Sequence, residues 1–426
     1  MSANFLKNTS HLKLNQFLLL SSIDKMLMLL IFMFPILAAT AKHGGTTVYI
    51  LLFLISLFNV KSTINSLSEN ERYVLYGFLV FVAVTVLGFI NTDDIRIATH
   101  QLERYLRLIM FIPIFLMFKN KTLQLLEPFL MGCVVATVVM ALQAFVQVEV
   151  LNNDVAHGAY HKIVFGDTAI ILLSVCLAGL IALSKNKESS IFLTIGILSG
   201  LYASMMSFTR SSWLAVIVVV IMCLILLKGK ITKKQGKKIF LGFVTLLIVG
   251  TIWLPKTISN GIDSAVNDIK QYSVNPEIQT SWGGRLKVAH AGWLMFLEEP
   301  IIGVGVGDFR YERNRLIKEG KTIDGARYSH AHIHYLNVLA ENGIIGLIAL
   351  ILFIYVVPAK AFYRQWIMSD NIPEKRFWSL IGILTLTNFF IFGIAEVWLG
   401  RNPLVNIYCF FILVSLVGIN ANKTLK

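Results

Sequence analysis

Three histidines alternate in SHAHIHYLNVLAENGIIGL (residues 329–347), where His330, His332 and His334 stand directly before an apolar run that reaches Val357. Imidazoles at this spacing could ligate a metal, carry a proton, or only mark a membrane boundary. On a helix, 330 and 334 share a face while 332 points nearly opposite, so a three-histidine ligand set needs an extended segment. With Asp324 or Glu341, two or three of them could hold zinc, yet the chain has no H-E-x-x-H and no cysteine ligand set. The expectation is therefore no metal. A neutral imidazole at the mouth of a cavity suits general-base work.

Arginines at apolar boundaries are the second group that could do chemistry. SFTRSSWLAV (207–216) leaves only a short turn between two apolar runs, which pins Arg210 to a membrane boundary. An ionisable group there is costly without a partner. Its planar fork suits a diphosphate, and a snorkelling arginine satisfied by lipid phosphate is the competing reading. Arg285 follows Gly283 and Gly284 in SWGGRLKVAH, where something bulky could approach the backbone. Arg104 and Arg107 in LERYLRL, and Arg401 with Glu396 in EVWLGRNP, sit at helix ends where interfacial anchors are common. Arg107, Tyr335, Glu396 and Arg401 are carried as candidates for substrate contact.

The elements that must position these residues are membrane helices. The 426-residue chain is 56% hydrophobic and 15% charged, against about a quarter charged for soluble domains. Apolar runs recur along nearly its whole length, long enough to cross a hydrocarbon core of about 30 Å. Twelve spans are expected, near 26–41, 47–59, 73–91, 105–118, 123–146, 164–184, 190–207, 212–227, 239–254, 335–357, 377–395 and 403–420. Lys7 and Lys13 precede the first without a small-residue cleavage site, so it is expected to be retained. The net charge of +14 reports topology and not nucleic acid. Lys and Arg crowd alternate short loops (119–122, 185–188, 228–238 and 358–376), which puts both termini in the cytoplasm. All of the nine histidines but His11 then face outward. The four cysteines lie inside apolar runs, so no disulfide framework is expected.

The chain reads as one transmembrane domain, 1–426, with residues 255–334 forming a large external loop between the ninth and tenth spans. Loops of that length are usually functional. Within it, RLKVAHAGWLMFLEEP (285–300) places Leu286, Ala289, Trp293, Phe296 and Leu297 at helical spacing. That pattern predicts an amphipathic helix on the membrane surface, stopped by Pro300. IIGVGVGDF (301–309) lacks the G-x-G-x-x-G order, so a tight turn is expected there and no nucleotide loop. No other cofactor motif is present. RYERNRLIKEGK (310–321) reads as a solvated basic run.

Taken together, these residues resemble the O-antigen ligase family of lipopolysaccharide assembly, in the wider group with O-antigen polymerases and O-oligosaccharyltransferases. The family's late motif is a histidine, a small polar residue, nine residues, then G-x-x-G. His332, Ile333, residues 334–342, Gly343 and Gly346 fit that register, whereas His330 and His334 do not. Ile333 departs from the usual Asn, Ser or Gln. TRSSW resembles the family's external arginine turn at Arg210, and GGRLKVAHAGWLMFLEEPIIGVGVGDF resembles the stretch from the second arginine, Arg285, to a glycine turn.

The resemblance implies an all-α polytopic fold of the GT-C glycosyltransferase type, in a Gram-negative inner membrane, with its site facing the periplasm. It also implies transfer of a glycan from undecaprenyl diphosphate to a hydroxyl of lipid A–core oligosaccharide, inverting and metal-independent. His332 is then the base, and Arg210 and Arg285 hold the diphosphate. An O-antigen polymerase and a protein O-oligosaccharyltransferase share that chemistry. A glycolipid transporter is disfavoured, because paired broken helices and an internal repeat are not evident.

Overall fold

The computed structural model describes residues 20–420 apart from 61–63, 120–124, 185, 324–327, 370–371 and most of 229–280. The first half of the chain forms α1 (Ser22–Thr40), α2 (Gly44–Asn59), α3 (Glu69–Leu87), α4 (Ile95–Lys119), α5 (Leu126–Phe145), α6 (Lys162–Ala182), α7 (Lys187–Met206) and α8 (Arg210–Leu227). The second half forms α9 (Ser281–Glu298), α10 (Phe309–Lys318), α11 (His334–Ala349), α12 (Val357–Met368), α13 (Pro373–Phe392) and α14 (Asn402–Asn420). No strand occurs among the described residues.

Each expected span coincides with a helix except 239–254, which lies outside the described residues together with 229–238, 255–262 and Asp324. Among the described residues, eight helices are long and apolar enough to cross a membrane, and α2 is apolar but shorter. This is the pattern of a multi-pass membrane protein. Among the described residues that measure does not reach the expected twelve. α4 brings Arg96, Glu103, Arg104 and Arg107 into its first half, and α13 opens on Glu374, Lys375 and Arg376.

Two helices serve as central posts. α14 is 89% buried and α6 83%, whereas peripheral α7 is 28% buried. α13 lies between the posts and packs on both, α4 backs α14, and α7 backs α6. Their near-continuous apolar sequences fit that place, since a helix apolar all round is a buried one. All four cysteines are buried and free.

Outside this bundle, α9 and α10 form a small unit of their own around Val288, Met295, Phe309, Leu316 and Ala331. The amphipathic helix predicted for 285–300 is α9. One apolar face packs inward against α11, while Leu286, Trp293 and Leu297 remain exposed. The basic run is largely exposed, as expected, but it is also paired. Arg315 pairs with Glu298, Glu312 and Glu319, Lys321 pairs with Glu298 and Glu319, and Arg313 is buried. Carboxylates supplied from α9 and from α10 itself neutralise much of the run.

The glycine run 301–307 is the tight turn expected, and it joins the α9–α10 unit to the bundle. α11 breaks at Gly343 (φ 62°, ψ −163°), a conformation essentially confined to glycine. The break frees backbone groups, and the loop meets them. Val304 and Gly305 N–H donate to the carbonyls of Ala340 and Glu341, while Ile344 and Ile345 N–H donate to those of Pro300 and Ile301. A Cβ at Gly343 would stand 2.2 Å from the Ile301 carbonyl oxygen. Gly343→Ala is therefore expected to destabilise by on the order of 3 kcal/mol. Gly320→Ala, with nothing within 4 Å of its Cβ, is expected to cost only about 1 kcal/mol. Thermal unfolding of both variants in detergent checks the contrast.

Candidate functional site

The N-terminal ends of α6, α8 and α11 and the C-terminal end of α13 converge around one carboxylate. Glu396 follows α13 and is fully buried. Its Oε1 accepts from Arg401 Nε at 3.3 Å and from the Val397 N–H at 3.2 Å, and His330 Nε2 lies 3.8 Å away. Its Oε2 has no partner. Burying an ionised carboxylate is costly unless it is paired, and Arg401 is the charge that meets it.

His330, His332 and His334 are separated by the backbone. Residues 330–333 precede α11, with His332 in the left-handed region at φ 57°. Ala331 N–H donates to Asn337 Oδ1 at 3.1 Å and His334 N–H donates to the Gly393 carbonyl at 2.8 Å. His334 is turned inward, its ring 5.3 Å from Trp398. Trp398 in turn donates from Nε1 to Tyr355 at 2.9 Å and packs on Phe389 and Tyr408, an aromatic floor beneath the site. His332 lies above it, its ring 4.3 Å from both the Tyr328 and the His330 rings. Arg313 of α10 donates to the Tyr328 carbonyl and fixes that wall. Both His332 nitrogens are shut off from solvent and without a hydrogen bond, as are those of His334, a state that calls for an explanation.

Charge and burial set the state of these imidazoles. Desolvation, followed by the charges of Arg401, Arg104 and Arg285, pushes His330 down to about 4. Desolvation also lowers His332 to about 4, with His330 and Arg285 adding to it and Glu396 opposing. Both rings are neutral at any pH well above 4. His161, which caps α6, lies within electrostatic reach of Arg401 and Glu396 and is lowered mainly by its burial.

His330, His332 and Glu396 present ligand atoms within 4.8 Å of one another, close enough for one divalent ion. Arg401 occupies Glu396 Oε1, however, and Arg285, Arg104 and Arg401 all act on the imidazoles. A cation added there would face three guanidinium groups, so the site's electrostatics suit an anion better. Glu341, another possible ligand by sequence, instead accepts from Gln101 Nε2 at 2.8 Å.

The arginines divide. Arg285 acts on both imidazoles, and its Nε is buried without a hydrogen bond. Arg210 is exposed and opens α8. The next two residues, Ser211 and Ser212, donate to the buried Asp167 of α6 at 3.2 and 2.7 Å, and Asp167 feels the charge of Glu396. Arg107 is not brought to the site: it is buried, and its Nη1 donates to the Glu103 carbonyl at 3.0 Å. Arg104, one turn before it, acts on His330 instead and approaches Gly400. Tyr335 donates to the Phe390 carbonyl at 2.6 Å, so its hydroxyl secures α13.

Sequence reasoning missed the parts played by Arg104, His330 and Asp167. Asp167 carried a usable signal, an ionisable residue inside an apolar run. Burial of His332 gives a direct expectation. Diethyl pyrocarbonate should acylate the exposed His43 and His100 and spare His332, as read by peptide mass spectrometry.

Residues 193–351 match the family model described as O-Antigen ligase. The matched stretch contains Arg210, Arg285, His332, Gly343 and Gly346, so the resemblance to that family is shown over the segment carrying those motifs. Glu396 and Arg401 lie beyond it. An uncharacterized protein of Haemophilus influenzae is 26% identical over 373 residues, covering 83% of this chain and 87% of that one.

Proposed function

From that family match, we propose that the protein is an O-antigen ligase, a GT-C-type glycosyltransferase with both termini in the cytoplasm and its site on the periplasmic face of the inner membrane. It moves a glycan from undecaprenyl diphosphate to a sugar hydroxyl of lipid A–core oligosaccharide. The observation that carries the reading is His332: a neutral imidazole with both nitrogens unpartnered, beside Arg285 and within the matched segment.

In the proposed reaction, the acceptor hydroxyl makes the hydrogen bond that His332 lacks and gives up its proton to that nitrogen. The acceptor oxygen attacks the anomeric carbon from the face opposite the diphosphate. The carbon–oxygen bond to the phosphate breaks as the new one forms, and the configuration inverts. Undecaprenyl diphosphate leaves with the bonding electrons. Arg285 and Arg210 meet the charge that grows on it, an effect worth about 3–4 kcal/mol per contact. Arg401, held by Glu396, and Arg104 add to the positive field on that side of the imidazoles. The bilayer confines both lipid-anchored substrates to one plane, an orientation effect.

Purified protein given carrier-linked glycan and lipid A–core should form the ligated product with or without EDTA. His332→Ala should lower kcat by about 10²–10⁴-fold, and Arg285→Ala or Arg210→Ala by about 10²–10³-fold. Undiminished ligation by His332→Ala would overturn the base assignment. Product only with a second carrier-linked chain as acceptor would make the enzyme a polymerase. The sign of the pH effect follows from the lowered histidine: the base is lost only below its folded value. The acid limb of kcat/KM is expected near 4 and not near the ordinary 6.5 of imidazole.

A further inference from the structure

The family's motif singles out one histidine and leaves the role of the residue two positions earlier open. His330 sits between the buried carboxylate and the backbone of His332. His332 N–H donates to His330 Nδ1 at 3.2 Å. That bond requires a lone pair on Nδ1, so the neutral ring carries its proton on Nε2. Nε2 faces Glu396 Oε1 at 3.8 Å, where a carboxylate favours the protonated nitrogen. The accepting nitrogen of His330 is thus engaged by the backbone, while both nitrogens of His332 are unengaged.

The bond has work to do. A non-glycine residue in the left-handed region is strained and persists only where its surroundings over-determine it. His332 is such a residue, at φ 57°. A side-chain acceptor two residues back is the local device that supports this geometry. The His330 ring also forms one of the two walls, at 4.3 Å, that orient the His332 ring. His330 therefore supports His332 twice, through the backbone hydrogen bond and through the ring wall.

We propose that His330 is a positioning residue: by accepting the His332 N–H it holds His332 in its strained backbone conformation, and its ring directs the ring of the base. This rests on the reading of His332 as the base, and it assigns His330 no contact with either substrate.

Three variants separate the role from a merely structural one. In His330→Asn the amide oxygen replaces Nδ1 as acceptor. In His330→Gln the polar end replaces Nε2 and the acceptor for the His332 N–H is lost. In His330→Ala both are lost. With the glycan-transfer assay, His330→Ala and His330→Gln are expected to lower kcat by about 10²-fold, the scale of a small misplacement of a catalytic group. The KM for the carrier-linked donor should be unchanged, and His330→Asn should recover most of the kcat.

Thermal unfolding of each variant in detergent guards against a simple folding defect. Wild-type kcat in His330→Ala, equal losses in His330→Asn and His330→Ala, or a change confined to KM would each overturn the proposal. If His332→Ala is inactive while His330→Ala works normally, the positioning role fails and the base assignment stands. If His332→Ala itself retains full activity, both fail together.

Discussion

A carboxylate sealed inside a membrane protein has to be answered by positive charge, and Glu396 imposes that demand on everything around it. Arg401 answers it directly. His330 Nε2 stands 3.8 Å from the same oxygen, while its Nδ1 accepts from the His332 N–H. Electrostatics also ties Asp167 and His161, both carried by α6, to the same centre. Without Glu396 the residues after α13, the start of α11 and the start of α6 would have no common electrostatic reference. Interactions of this kind are strong because little water competes with them.

The second dependency is mechanical. A bundle of membrane helices offers few irregular backbone groups, because each must be satisfied internally. The break at Gly343 creates such groups, and the 301–307 turn satisfies them. Arg285 on α9 and His332 at the start of α11 lie far apart in sequence, yet α9 packs on α11 and the turn ties the two together below that contact. The G-x-x-G element is thus part of how the site is assembled, through backbone geometry and not through any chemistry of its own.

Much of this was legible in the residues. Span positions follow from apolar runs, and the alternating glycines of 301–307 read correctly as a turn because the order needed for phosphate was missing. The spacing from His332 to Gly343 separated one histidine from its neighbours. Sequence could not show which of Arg104 and Arg107 reaches the site, because three residues on a helix rotate a side chain through most of a turn and packing decides the rest. Nor could it show that Arg315 and Lys321 are matched by Glu298 and Glu319, since Glu298 comes from the preceding helix. Glu396 and His330 lie 66 positions apart by their numbers, and only the fold makes them neighbours.

The seclusion of the His332 nitrogens has a chemical consequence under the proposed mechanism. A base open to bulk water would activate water as readily as a sugar hydroxyl, and the carrier-linked chain would be lost to hydrolysis. Tyr328 and His330 flank this base, and neither nitrogen is reached by solvent. A nucleophile must then arrive with enough binding surface to open its way in, which a large oligosaccharide has and water lacks. Fidelity for transfer is in that sense a property of what the walls keep out.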